Sequence, residues 1–433
     1  MEKTLDKYKD SGIAWIGEIP SEWKIVRIKD EYSFQTGATP PTGNESFFDG
    51  NNIWVSIADM KDRIVYDSKK KLSDSGIQKC SMSIVPMGSL LYSFKLSVGN
   101  VAFAGTDLYT NEAIASFSPN CGYLPFLYYT APQFIIFNAN TNIYGANILN
   151  QELIKNAFVP LPPLSEQQRI ATFLDKKCRD IDSLISLQEE MITELQAYKQ
   201  SVITEAVTKG LNPNVQFIDS QEEWLGEIPS DWELLPIRAL FTKRNKKNDP
   251  IISKERLSLS IGIGITRSAD KTTNLDRFKE DFTAYQLAYP DDIVLNSMNM
   301  IVGAVGKSAF MGCVSPVYYV ITAKEGVDPN FYAYLLNSPK IREVYHSLGR
   351  GIYAIERGEG RVNTCRLKVP YYDFSIIKVP VPSYEEQIKI ATHLDEKTQQ
   401  IDSLIALKQD KIAELKDYKK SVIYEYVTGK KRV

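Results

Sequence analysis

Between Glu166 and Thr208 the chain carries neither proline nor glycine, and apolar residues recur at alternating steps of four and three. The positions are Ile170, Leu174, Lys177, Ile181, Leu184, Gln188, Met191, Leu195, Tyr198 and Val202; eight of the ten are apolar or aromatic. A second stretch repeats the stepping at Ile390, Leu394, Lys397, Ile401, Leu404, Lys408, Lys411, Leu415, Tyr418 and Val422, and Ile185, Ile192, Ile405 and Ile412 widen both stripes. A heptad seam held for about five heptads predicts one long helix in each place, capped at Ser165 in the first. About 44 helical residues span roughly 66 Å. Such a helix cannot bury its stripe alone, and the equivalent stripe lies in the other half. The two helices are therefore expected to pair antiparallel about a pseudo-two-fold axis, as a spacer of fixed length between two globular heads. Lys177 and Lys397 hold equivalent seam positions, suited to setting register or to snorkelling. His393 replaces Phe173 and reads as a partly buried helix residue, not a catalytic base.

The rest of the chain has a different rhythm. Residues 24–158 and 233–378 hold short β-prone runs split by turn residues, among them Ile53–Ile57, Ser89–Ser93 and Ile293–Leu295 after the turn Pro290-Asp291-Asp292. Short helical stretches, Leu124–Phe137 and Asn330–His346, follow the strands. The predicted class is α+β.

The chain also repeats itself. Trp15-Ile16-Gly17-Glu18-Ile19-Pro20-Ser21-Glu22-Trp23 returns as Trp224-Leu225-Gly226-Glu227-Ile228-Pro229-Ser230-Asp231-Trp232, identical at seven of nine positions, 209 residues later. Val159–Thr208 aligns without gaps to Val379–Thr428 at an offset of 220, with 28 of 50 positions identical. Between these blocks the halves diverge, with one echo: Leu91, Ser93, Val98 and Gly99 against Leu295, Ser297, Val302 and Gly303. Uniform blocks around divergent regions read as two similar scaffolds carrying different specificities.

Composition narrows the choices. The 433 residues are 43% hydrophobic and 24% charged, with a net charge of −2. That suits a multi-domain globular chain, and no apolar run approaches the ~20 residues of a membrane span. The first residues show no apolar secretory segment. Five scattered cysteines without a CxxC spacing argue against a disulfide framework or zinc knuckle and fit a reducing cytoplasm. Two histidines leave little for a zinc hydrolase or a Ser-His-Asp triad.

Near-zero net charge confines any polyanion site to local patches. Arg238–Arg277 carries ten Lys/Arg against four Asp/Glu. The candidate DNA-binding residues are Lys61, Arg63, Lys69, Lys70 and Lys71 in the first half. In the second they are Arg244, Lys246, Lys247, Arg267, Lys271, Arg357 and Arg361. Arg and Lys on glycine-flanked loops suit phosphates, and Arg beside Asn suits purine edges. Catalytic signatures are missing: no Asn-Pro-Pro-Tyr/Phe occurs, and Gly262-Ile263-Gly264 lacks the third glycine of a dinucleotide loop. Gly303–Ser308 lacks the first glycine of a phosphate loop, where Ile301 stands, and Asp395-Glu396-Lys397 falls within a predicted helix. The chain reads as a reader without catalytic machinery.

Several of these motifs together resemble the specificity subunit of Type I restriction–modification systems. They are the Trp-x-Gly-Glu-Ile-Pro pair, Thr36-Gly37-Ala38-Thr39-Pro40 with Trp54 and Asp59, and Pro162-Pro163-Leu164-Ser165-Glu166-Gln167-Gln168 before a long helix. The second copy of the last, Pro380–Ile388, departs at Ser383, Tyr384 and Ile388. Asp292–Met298 and Gly312–Tyr318 are similar to the family's target-recognition domain. The resemblance implies two pseudo-symmetric target-recognition domains, residues 1–163 and 211–382, each followed by a spacer helix, 164–210 and 383–433. It implies that each domain reads one half of a bipartite, asymmetric site in double-stranded DNA. It further implies that the antiparallel coiled coil docks two methyltransferase subunits, which bind S-adenosylmethionine, and that restriction subunits can join. This chain itself would be non-catalytic, without a cofactor, and cytoplasmic. Two alternatives compete: a nucleic-acid methyltransferase in its own right, and a coiled-coil scaffold or adaptor that does not bind DNA.

Overall fold

The computed structural model describes residues 8–95, 97–141, 147–270, 281–352, 356–357, 361–362 and 366–433. The chain divides into two compact units, Met1–Gln188 with Asp410–Val433, and Glu189–Gln409. The predicted long helices are both present, Leu164–Lys209 and Tyr384–Val427, and each is shared between the units.

Both units are built on one plan. In the first, Phe34–Thr36, Ile114–Phe117, Leu90–Ser93 and Val101–Ala104 lie side by side in that order, all antiparallel, and Ile64–Val65 adds a parallel edge. In the second, Phe241–Lys243, Tyr318–Ala323, Ile293–Asn296 and Val305–Lys307 repeat the order and the antiparallel sense. A two-stranded pairing brackets each head: Lys24–Arg27 with Phe158–Leu161, and Glu233–Pro236 with Lys378–Val381. The weak echo between the halves falls on the same strand and turn, and Gly99 and Gly303 share φ +94°.

The buried strands serve two cores at once. Leu90 and Tyr92 face the main core of the first unit, while Leu91 joins a smaller cluster with Val55, Met60 and Val65. Ile293 and Leu295 face the main core of the second unit, and Val294 faces a satellite with Leu257 and Val314. Alternate side chains point to opposite faces of a strand, so a continuous apolar run covers both.

Each main core is closed by the beginning of one long helix and the end of the other. Ile170, Leu174 and Cys178 with Val422 and Val427 complete the first; Ile390, Ala391 and Leu394 with Ile203, Ala206 and Val207 complete the second. The repeated tryptophans mark these closures. The Trp23 indole N–H donates to Glu166 Oε2 at 2.9 Å, and that of Trp232 donates to Glu386 Oε2 at 3.0 Å. A Cβ on Gly429 would lie 3.2 Å from the Trp23 ring, and one on Gly210 would lie 3.1 Å from the Trp232 ring. Each indole is thus held by the start of one helix and covered by the end of the other.

Within each unit the helix segments run antiparallel. Asp182 pairs with Lys419 at 2.7 Å in the first, and Lys199 with Asp402 at 2.7 Å in the second. These are the same pair under the 220-residue repeat. The seam differs from the expected one. Ile181 is buried as expected, but at alternate positions the next residue takes the place: Cys178 and Ile185 are buried, while Leu184 and Tyr198 are 48% and 56% exposed. In the second helix Thr398 and Ile412 are buried, and Leu404 and Tyr418 are 47% and 50% exposed. The reason is the step pattern. Two successive steps of four, Ile170 to Leu174 to Cys178, keep the helix face on the head core, which moves alternate seam positions by one residue while Ile181 and Ile401 stay buried where expected. Lys177 instead lays its ammonium 6.0 Å from the Tyr418 ring centroid.

The motif glycines hold their places for two different reasons. Gly17 and Gly226 share φ +71°, and a Cβ there would meet no atom within 4 Å. Gly37 lets the backbone reach Thr110: a Cβ there would fall 1.6 Å from the Thr110 carbonyl oxygen. Gly226→Ala should therefore cost about 1–2 kcal/mol of left-handed strain. Gly37→Ala should cost more than the usual overpacking range of about 1–3 kcal/mol. Thermal unfolding of the two variants checks the order; an equal shift in Tm would contradict it.

Candidate nucleic-acid interface

In the second unit the backbone gathers several basic candidates onto one small layer. Lys247 bridges Gln286 in the strand Gln286–Ala288, which pairs with Gly312–Val314. Cys313 bridges Arg256, and Leu257–Ser260 pairs with Gly264–Arg267. Lys246 and Lys247 therefore sit at one edge and Arg267 at the other, four strand spacings apart, about 19 Å. All three are exposed. Lys246 lies 5.4 Å from the Tyr289 ring centroid and Arg267 lies 4.7 Å from that of Phe310. Each cation rests against an aromatic face.

Asn248 fixes the Lys246–Lys247 edge. Its side-chain amide donates to the carbonyls of Ser253 and Phe282, and its oxygen accepts from the backbone N–H groups of Ile252 and Ser253. Sequence reading passed over this residue. An Asn after a basic run is a turn signal, and nothing in the sequence shows that it is fully buried.

Arg244 stands apart from its neighbours. Its guanidinium grips Asp292 with two hydrogen bonds, 2.7 and 2.9 Å, and lies 4.6 Å from the Tyr289 ring centroid. Asp292 is 1% exposed and also accepts from Thr322 and the Tyr289 N–H. This is the geometry of a structural ion pair. Lys271 lies outside the described residues. Arg357 and Arg361 face each other across a short antiparallel pairing, Glu356–Arg357 with Arg361–Val362, and their side chains lie outside the described residues.

The first unit distributes its candidates over two places. Lys69, Lys70 and Lys71 border the strand pair Asn52–Val55 and Lys71–Leu72. The Lys69 N–H donates to Asp59, Lys70 lies 5.8 Å from the Phe48 ring centroid, and Lys71 pairs with Asp67 at 3.1 Å. Asp59 also accepts from Ser56 N–H and Oγ, which fixes this loop, and the Trp54 indole donates to the Ala38 carbonyl. The motif residues Gly37, Ala38, Trp54 and Asp59 thus form one support beneath the lysines.

Lys61 and Arg63 line a groove of about 950 Å³ beside the first long helix. Arg63 pairs with Asp175 at 2.6 Å and lies 4.7 Å from the Tyr128 ring centroid. The Tyr129 hydroxyl donates to the same Asp175 oxygen at 2.6 Å. Burial first, and this bond second, push the Tyr129 hydroxyl far above its ordinary value. The second unit keeps the latch: Tyr334 donates to Asp395, the repeat equivalent of Asp175, at 2.7 Å.

The loops resembling nucleotide sites are something else. Val305–Lys307 is a strand whose Lys307 pairs with Asp291 at 2.9 Å, and Asp395–Lys397 lies within the second long helix. Among the described residues no group of His, Cys, Asp and Glu is placed to hold a metal, and no helix is long and apolar enough to cross a membrane.

Known proteins resemble this chain in sequence and in fold. The family described as the Type I restriction modification DNA specificity domain matches residues 20–197. The chain is similar to the Type I restriction–modification specificity subunits. The MjaIX specificity subunit of Methanocaldococcus jannaschii is 27% identical over 252 residues, 54% of this chain and 55% of that one. The putative MjaX specificity subunit of the same organism is 27% identical over 440 residues, 96% of each. A chain solved in work on complex assembly and conformational transition of the type I R-M system has the same fold, with a TM-score of 0.66 at 16% identity over 94% of this chain and 98% of that one.

The exposed and paired cations should respond differently to substitution. Lys246→Glu with Lys247→Glu should weaken DNA binding across sequences and lower the salt slope by about two, as the loss of two phosphate contacts does. Arg244→Gln should instead destabilise the second unit by about 3–5 kcal/mol, because it leaves Asp292 buried without its partner. Salt-dependent DNA titration and denaturant unfolding separate the two effects; a DNA affinity untouched by the double charge reversal contradicts the assignment of this edge.

Proposed function

We propose that the two heads each read one half of a bipartite, asymmetric sequence in double-stranded DNA, and that the long helices carry two methyltransferase subunits. The functional segments are residues 1–163 and 211–382 as readers, and 164–210 and 383–433 as spacer helices. Methylation, with its S-adenosylmethionine, and cleavage by restriction subunits belong to those partners, in the cytoplasm. The DNA contacts proposed for this chain are the exposed cations Lys61, Lys69, Lys70, Lys246, Lys247 and Arg267, together with Lys71, Lys271, Arg357 and Arg361. A span of about 19 Å between Lys247 and Arg267 exceeds the ~12 Å major groove, which suits contacts to phosphates on both of its sides.

The observation that carries the docking half of this reading is a repeated surface. Leu184, Leu187 and Tyr418 are exposed in the first unit, and their repeat equivalents Leu404, Leu407 and Tyr198 are exposed in the second. Exposure runs from 44% at Leu187 to 66% at Leu407. Apolar residues with no core role, kept identical in both copies while the heads diverged, suit two copies of one partner.

Two measurements test the reading. Native mass spectrometry of the complex should count two methyltransferase subunits, and Leu404→Asp with Leu407→Asp should leave one. Replacing residues 233–378 with the matching region of a relative should change one half of the methylated motif and leave the other. A change in both halves in an assembled complex, or unaltered stoichiometry, would overturn the corresponding part.

A further inference from the structure

The internal repeat supplies a comparison within one chain. In the first unit Phe173, on the first long helix, meets Tyr426, on the second, with ring centroids 4.5 Å apart. Their repeat equivalents in the second unit are His393 and Ala206. The second ring is missing altogether and the first is replaced by an imidazole. A solvent-open cavity of about 690 Å³ stands there, lined by both residues, with Tyr198, Leu211 and Phe217 exposed along it.

The walls of this cavity have a definite chemistry. Tyr198, Val202 and Phe217 supply apolar and aromatic surface, while Lys209, Lys397 and His393 supply nitrogen donors against the single carboxylate of Glu205. The volume falls within the roughly 300–1,000 Å³ of small-molecule sites. The paired positions are Ala206 and His393 here and Tyr426 and Phe173 in the first unit, so part of this space is what the first unit fills with rings. An occupant must therefore be flat and apolar where Tyr426 would lie, and negative where it meets the lysines.

We propose that this cavity is a binding site for a small planar aromatic anion, a ring bearing a carboxylate or sulfonate. The site belongs to the second unit alone and is independent of the DNA-reading role. In the first unit the paired positions are Phe173 and Tyr426, which meet ring to ring.

Calorimetric titration of the full chain with indole-3-acetate tests this, with tryptamine as the same ring carrying the opposite charge. Indole-3-acetate should bind saturably, and tryptamine should bind at least tenfold more weakly. Ala206→Tyr with His393→Phe, which installs the pair the first unit already accommodates, should abolish binding. Lys397→Gln, on an exposed helix face, should weaken it several-fold while leaving the cavity open. Equal affinity for both probes, undiminished binding to the filled variant, or no binding below about 1 mM would overturn the proposal.

Discussion

A helix of more than forty residues with one apolar stripe has nowhere to hide that stripe within its own half of the chain. Everything else follows from how the protein meets this constraint. Each long helix gives its first turns to the head that precedes it and its last turns to the other head's core. The pairing is antiparallel because only then can both ends be covered. The ion pairs Asp182–Lys419 and Lys199–Asp402 mark the register. Their side chains are 22–58% exposed, so they add little energy and act mainly to exclude neighbouring registers.

The closures are polar as well as apolar. An indole N–H buried against a carboxylate has one good geometry, and Trp23–Glu166 and Trp232–Glu386 repeat it. Their surroundings differ. Arg432 lies 2.9 Å from Glu166 Oε1, whereas burial pushes the Glu386 carboxyl above its ordinary range, against the Trp232 bond that favours its charged form. The duplicated frame thus tolerates different electrostatics at equivalent points, as it tolerates different loops.

The helices, the repeat and the α+β class were legible in the sequence because they are written in period and identity. The four-strand order common to both heads was not, since only the pattern around Leu91 and Leu295 survives divergence. Ile170, Leu174 and Ile181 are buried as the stepping expects, whereas Leu184 and Tyr198 look like core by type but are exposed through tertiary packing around Cys178. Basic residues were easy to find and hard to sort. Arg63 and Arg244 sit in runs with exposed lysines, but each is bound to an aspartate distant in sequence, Asp175 at 112 residues and Asp292 at 48. Such pairings leave no local signal.

Sharing each helix between two cores also sets an order of assembly. Residues 189–409 contain every segment their core requires, so that part can close as soon as it has left the ribosome. The other core waits. Trp23, Phe117 and Leu174 are synthesised early, yet their packing lacks Val422, Val427 and the Arg432 contact to Glu166 until the chain has been made through residue 432. The first head to be translated is therefore the last whose core has all its parts.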